Sequence, residues 1–196
     1  NIYCIIYYKN MSKKFTLIIK NGTCFIDGKL TKIDVGVIDS KIKKIGKLDQ
    51  ETGDQIIDAS KKIVLPGIID TQVHFREPGS TDAEDLESGS RAAVLGGVTS
   101  LFEMPNTNPP TANLIEFEKK LKAAKNRMHS NYAFYFGATP TNTEQLSQLK
   151  NVEGCCGVKL FAGSSTGNLL VDKEADIEKV ISLSLIHISE PTRQDR

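Results

Sequence analysis

The sequence predicts an α/β protein in which a short all-β segment is followed by parallel strand–helix units. Two observations carry this. Residues 15–64 break into short apolar runs separated by turn signals, whereas beyond Pro66-Gly67 strand-length runs alternate with helix-length apolar stripes. The change of period places a domain boundary near residue 65.

The first segment predicts strands at residues 15–19, 23–26 and 33–38, with Asn21-Gly22 and Asp27-Gly28 as turns. Residues 41–45 and 55–58 add two more, giving a small β-meander. After the boundary, residues 68–76 read as a strand in which Asp70, Gln72, His74 and Arg76 share one face. The other face, Ile69, Val73 and Phe75, is apolar apart from Thr71, as expected of a strand packed under helices. Thr81 and Glu84 stand in capping-box register before a helix that carries Leu86, Ala92 and Leu95 and stops at Gly96-Gly97. Residues 98–104 form the next strand. Leu114, Phe117, Leu121, Ala124 and Met128 then mark one apolar stripe of a second helix. Residues 131–137 are a third strand, and Thr141 and Glu144 cap a short third helix with Leu146 and Leu149. Residues 157–161 are the fourth strand, and Asp172 starts a fourth helix with Ile177, Val180 and Ile181 facing inward. Four βα units therefore precede residue 183.

Composition narrows the class. With 25% charged and 39% hydrophobic residues and a net charge of +1, nothing invites nucleic acid, and no apolar stretch is long enough to cross a bilayer. A soluble, cytoplasmic protein is expected. Cys4, Cys24 and the adjacent Cys155-Cys156 lack C-x-x-C spacing, so reduced, packed thiols are expected. The ends read differently from the rest. Met11-Ser12-Lys13-Lys14 looks like a natural start, so residues 1–10 read as upstream translation; their apolar run lacks a basic leader or cleavage site. Residues 183–196 look like the translation of a sequencing adapter and are set aside from the fold reading, His187 included.

The string Leu65-Pro66-Gly67-Ile68-Ile69-Asp70-Thr71-Gln72-Val73-His74-Phe75-Arg76-Glu77-Pro78-Gly79 resembles the first barrel strand of the amidohydrolase superfamily, in the group of dihydroorotases, allantoinases and hydantoinases. The resemblance implies a truncated (β/α)8 TIM barrel of about four βα units, at residues 66–182. Before it, at residues 11–65, would stand a small β-sandwich domain lacking its C-terminal half. A whole barrel needs roughly 250 residues, whereas residues 67–182 supply 116. The chain is thus expected to be an N-terminal fragment of a longer parent.

The family places H-x-H where this chain has Gln72-Val73-His74. His74 is then the surviving histidine ligand of one or two Zn2+ ions, and Gln72 a weaker neutral donor in place of the other. Lys159 lies mid-strand on the face opposite Val158 and Leu160, where burial favours a neutral amine that can react with carbon dioxide. Its G-x-K-x-F setting resembles the lysine that the relatives carboxylate to a metal-bridging carbamate; the alternative is a lysine meeting solvent or a buried acid. Arg76, with Asn106 in Met104-Pro105-Asn106-Thr107, matches the residues that hold a substrate carboxylate in dihydroorotases, a task suited to arginine's planar fork. Allantoinases commonly carry Asn at the arginine position, and hydantoinases lack the R-E-P-G continuation. His129 falls at the wrong rim of a barrel for a ligand, and residues 163–167 read as a plain connection. The family's remaining histidines and its catalytic aspartate on strand eight are absent from this chain.

The expected parent is therefore a metal-dependent cyclic amide hydrolase of dihydroorotase type, interconverting dihydroorotate and N-carbamoyl-L-aspartate in pyrimidine biosynthesis. Two alternatives remain. One is a non-catalytic partner of aspartate transcarbamoylase that lost a ligand at Gln72, and the other an allantoinase- or hydantoinase-type amidase. A small-molecule substrate is expected, without nucleic acid or membrane, and the candidate protein partners are a second copy of the chain or aspartate transcarbamoylase. For the fragment alone the expectation is inactivity and poor solubility, because strands one and four would present unpaired edges.

Overall fold

The computed structural model describes residues 14–165 and 168–183 and the backbone of residues 187–190. The readings of residues 1–10, of the start at Met11, of Thr166-Gly167 and of the rest of 184–196 lie outside the described residues. The chain divides into two compact units, Asn1–Pro66 and Gly67–Arg196.

The first unit contains β1 (Phe15–Lys20), β2 (Thr23–Ile26), β3 (Lys29–Lys32), β4 (Asp34–Ile38), β5 (Lys41–Gly46), β6 (Gly53–Asp58) and β7 (Ile63–Val64). It is not the simple meander expected. β1 lies between an antiparallel β4 and a parallel β6 in a sheet ordered β5-β4-β1-β6, and β3-β2-β7 form a second sheet. Asp27 (φ 50°) and Gly28 (φ 77°) turn β2 into β3, the paired positive angles that a two-residue hairpin requires. Phe15, Ile18 and Leu48 form its small core. The buried Asp34 carboxylate ties loops to it by accepting from the Asn21 N–H at 2.9 Å and the Leu48 N–H at 3.0 Å.

The second unit runs β8 (Ile68–Val73), α1 (Leu86–Leu95), β9 (Val98–Glu103), α2 (Leu114–Ala124), β10 (Asn131–Gly137), α3 (Thr143–Leu146), a 3-10 turn (Leu149–Asn151), β11 (Cys155–Phe161), α4 (Glu174–Leu183) and β12 (His187–Glu190). All five strands are parallel and stand in sequence order, β8-β9-β10-β11-β12. This mixed α/β arrangement is consistent with part of a barrel. One face of the sheet and the helices enclose the core, with Leu101, Phe134, Phe136, Val158 and Leu160 meeting Leu86, Phe117 and Val180.

Four details depart from expectation. β12 pairs with β11, so the fourth strand has no open edge on that side, and residues 187–190, set aside in reading the sequence, supply a fifth strand. The N-cap of α1 is Asp85, whose carboxylate accepts from the Ser88 N–H at 2.7 Å, because residues 76–84 close into a loop that absorbs Thr81 and Glu84. The cap position of α3 is Asn142, not Thr141, whose hydroxyl meets that of Thr139 instead. In α4, Ile177 and Val180 reach the core but Ile181 is exposed.

Candidate active site

His74 follows the last residue of β8. Val73 and Phe75 on either side pack into the helix-facing core, which turns the imidazole to the other side of the sheet, half-buried. There His74 Nδ1 lies 2.9 Å from Asn106 Oδ1. With the amide oxygen facing the ring, Nδ1 carries the proton and donates, leaving the Nε2 lone pair for a ligand and the Asn106 NH2 as a donor. The structure thus brings together two residues that lie 32 positions apart in the chain.

The row expected from Asp70 to Arg76 does not run unbroken. Asp70 pairs with Leu101 and Val73 with Glu103, three steps on β8 against two on β9. The Asp70 carboxylate accepts the Gln72 N–H at 3.0 Å, a local side-chain turn that accompanies the extra residue and takes Asp70 out of register with His74. Gln72 is exposed. Arg76 lies beyond the strand; its peptide is held by Glu84 O (3.3 Å) and Ser80 N (2.8 Å), while its exposed guanidinium makes no hydrogen bond or ion pair among the described residues.

The rest of the R-E-P-G stretch anchors this loop. Glu77 receives both Arg127 nitrogens, at 2.7 and 3.0 Å, and the N–H of Leu86 at the start of α1. Gly79 has φ +121°, and a Cβ there would stand 2.9 Å from the Asn108 carbonyl oxygen, so no other residue fits comfortably. The Asn108 N–H donates to Pro78 O at 3.0 Å, joining the loop after β8 to the loop after β9. The Arg127 hydrogen bonds hold the Glu77 carboxyl below its usual 4.5. A carboxyl lowered in the fold contributes stability above its unfolded pKa and loses it as pH falls through the folded one. Arg127→Met is therefore expected to lower stability by about 1–2 kcal/mol at pH 7, with the difference vanishing at acid pH in urea titrations of the full-length protein.

The loop after β9 carries Asn106. Met104 N–H donates to Val73 O at 2.9 Å, and Thr107 and Thr111 N–H both return to Pro105 O at 2.9 Å. Beneath it, at the end of β9, Glu103 and Lys120 of α2 form a fully buried ion pair at 2.5 Å. Burial pushes the Glu103 carboxyl up to about 7 and pulls the Lys120 ammonium down, each against the opposing pull of its partner. Further along, Asn142 donates to Ala112 O and Gly137 O, both at 2.8 Å, and accepts from Thr139 N, binding the loop after β9 to that after β10. Neither the pair nor Asn142 was foreseen. The available signal was Lys120 at three residues from Phe117 and four from Ala124, a charge inside an apolar stripe.

Lys159 lies on β11, three strands along the sheet from β8, fully buried, with its Nζ 5.0 Å from the Phe161 ring centre. Phe134 pairs with Cys155 but Tyr135 with Gly157, so a bulge at Cys156 resets the alternation just before Lys159. Beyond it Val158 and Leu160 face the helices and Lys159 the opposite side, as expected. Tyr135 is on that side too, edge-on to Phe102, its phenol pushed up to about 12 by burial. Burial likewise raises both Cys155 and Cys156, the latter to about 12, which keeps them neutral thiols. His129 is exposed, and its N–H donates to Ser90 Oγ behind α1, apart from His74.

A metal ion needs three or four ligands, and no group of three His, Cys, Asp or Glu comes together among the described residues. His74, whose Nε2 has no partner among the described residues, and Lys159 fit as a part of such a site and do not make a whole one.

Residues 63–185 match the Amidohydrolase family. The dihydroorotase of Methanosarcina acetivorans is 36% identical over 176 residues, 86% of this chain and 38% of its own length. An allantoinase of Escherichia coli O1:K1 / APEC is 39% identical over 153 residues, covering 76% of this chain and 33% of its own. Among solved structures, the L-hydantoinase (dihydropyrimidinase) of Arthrobacter aurescens superposes with a TM-score of 0.75 at 27% identity, over 85% of this chain and 37% of the other. A D-hydantoinase gives 0.73 at 26% identity, over 88% and 39%. The chain thus spans well under half the length of the relatives it matches. No helix among the described residues is long and apolar enough to cross a membrane.

Proposed function

Because the chain belongs to the amidohydrolase family, we propose that its full-length parent is a dihydroorotase-like cyclic amide hydrolase, interconverting dihydroorotate and N-carbamoyl-L-aspartate. What carries this reading is the donor set at the ends of β8 and β9. Asn106 spends its oxygen on His74 and keeps its NH2, and the Arg76 guanidinium two residues past His74 is unengaged among the described residues. Both remaining groups are donors, which suits a substrate carrying a carboxylate.

The parallel sheet is then the first part of a (β/α)8 barrel, and the two sheets of the first unit part of a β-sandwich. In the parent, His74 through Nε2 and Lys159 as a carbamate would contribute to a zinc centre of one or two ions, with Gln72 a weak donor at its edge. Such a centre, when bound, lowers the pKa of a water and polarises the ring amide. Arg76 and Asn106 hold the carboxylate, and the Asn106 oxygen fixes the His74 proton on Nδ1. The proton-carrying aspartate and the other ligands belong to the part of the parent outside this chain. An allantoinase-type substrate is the second reading, supported by the 39% identity to allantoinase. A third, supported by Gln72 in a ligand position, is a non-catalytic partner of aspartate transcarbamoylase.

Purified full-length protein separates these readings by zinc analysis and by turnover of dihydroorotate, allantoin and hydantoin. Stoichiometric zinc with turnover of dihydroorotate is expected. Turnover of allantoin alone would move the reading to the second, and a metal-free, inactive protein to the third.

A further inference from the structure

Glu103 and Lys120 take no part in the chemistry above, yet they stand directly behind the His74–Asn106 contact. Met104 is the joint between them. Its N–H donates to Val73 O at 2.9 Å, one residue before His74, and its carbonyl accepts from Lys120 Nζ at 3.3 Å. Two residues further on is Asn106. Lys120 Nζ also donates to Thr111 Oγ1 at 3.3 Å, and the Thr111 N–H closes back on Pro105 O. Both ends of the segment from Met104 to Thr111 therefore rest on one ammonium, which Glu103 Oε2 fixes at 2.5 Å and the Phe134 ring flanks at 5.3 Å.

Stability does not explain such a pair. An apolar pair of similar volume in a buried position is often as stable or more so, because two charges need no longer be desolvated. An apolar residue at position 120 cannot, however, donate to the Met104 carbonyl and the Thr111 hydroxyl together. Displacing Asn106 by about 1 Å takes its oxygen out of hydrogen-bonding range of His74, and shifts of that size lower rates by up to about a hundredfold.

We propose that Glu103 and Lys120 are positioning residues, which set the His74–Asn106 hydrogen bond by fixing the loop from Met104 to Thr111. The catalytic consequence rests on the hydrolase reading above, whereas the hydrogen bond itself does not.

The test uses the full-length protein as isolated, with its histidines labelled with nitrogen-15, and the double variant Glu103→Leu with Lys120→Met, which removes both charges and leaves neither alone. The double variant is expected to unfold near the parent's midpoint. Its His74 Nδ1–H signal is expected to broaden through faster exchange with solvent, and kcat/KM to fall about tenfold to a hundredfold, part of it in KM because the displaced Asn106 also holds the substrate carboxylate. A folded double variant with the parental Nδ1–H signal and parental kcat/KM would overturn the proposal. Should the double variant not fold, Thr111→Val removes one of the two Lys120 contacts at constant volume. A smaller change of the His74 signal in the same direction is then expected, and an unchanged signal overturns the proposal. If the parent hydrolyses no cyclic amide, the functional reading fails, and the His74 signal still decides the positioning role.

Discussion

Arg76→Met in the full-length protein is expected to lower kcat/KM for dihydroorotate by about 10²–10³-fold while changing turnover of dihydrouracil, the same ring without its carboxylate, by less than about threefold. Methionine keeps much of the side chain's length and apolar stem but loses the planar fork. Truncating one partner of a desolvated charge pair removes about 2–5 kcal/mol, and each factor of ten in rate corresponds to about 1.4 kcal/mol. The guanidinium is exposed and unengaged among the described residues, so its loss leaves no buried partner behind there, and the unfolding midpoint should hold within the range of surface substitutions. Arg76→Lys should recover part of the rate, because an ammonium restores the charge but not two parallel hydrogen bonds. The measurement is kcat/KM on both rings with each variant. Equal losses on both would show that Arg76 acts on the fold or the metal centre rather than on a carboxylate, and would remove the main ground for preferring an acidic substrate.

What the sequence revealed and what it hid follow from the range of each interaction. Periodicity is local, so β8 and β9, which lead into His74 and the Asn106 loop, β11, which carries Lys159, and the helices between them could be read from spacing alone. The side of the sheet to which Lys159 turns was legible because the bulge at Cys156 lies before it; a bulge after Val158 would have reversed the reading. The corresponding irregularity between Asp70 and Val73 was hidden, since nothing in Asp70-Thr71-Gln72 distinguishes an aspartate that folds onto its own backbone from one aimed along a strand. Glu77 was read as one letter of a motif and turned out to be a clamp on Arg127, 50 positions away. Glu103 and Lys120 were hidden for the same reason: each alone looks like a surface charge, and only the fold places them 2.5 Å apart. A lysine within an apolar stripe is a weak signal, because its stem can snorkel past the core to solvent.

That pair carries the second large effect. Lys120→Met leaves the Glu103 carboxyl buried without its counter-charge, and Glu103→Gln leaves Lys120 so; breaking a buried pair from one side costs about 3–5 kcal/mol. The two losses should run in opposite directions with pH, and the double variant, which has neither group, is the reference. In Lys120→Met, burial holds the Glu103 pKa above its unfolded value near 4.5, already at about 7 with Lys120 present. The folded state then binds a proton that the unfolded state has lost, so stability falls as pH rises from about 4.5 and does so by about 3 kcal/mol by pH 7. In Glu103→Gln, burial holds the Lys120 pKa below 10.5. Here the unfolded state keeps a proton that the folded state has released, so stability rises with pH between the folded value and 10.5. Urea midpoints read the contrast directly: Lys120→Met should lose ground on the double variant between pH 5 and pH 8, while Glu103→Gln should gain on it as pH rises towards 10.5. Slopes of the same sign in both variants would mean that solvent reaches the pair, and that the ammonium beneath Met104 and Thr111 is not the fixed point from which Asn106 is held against His74.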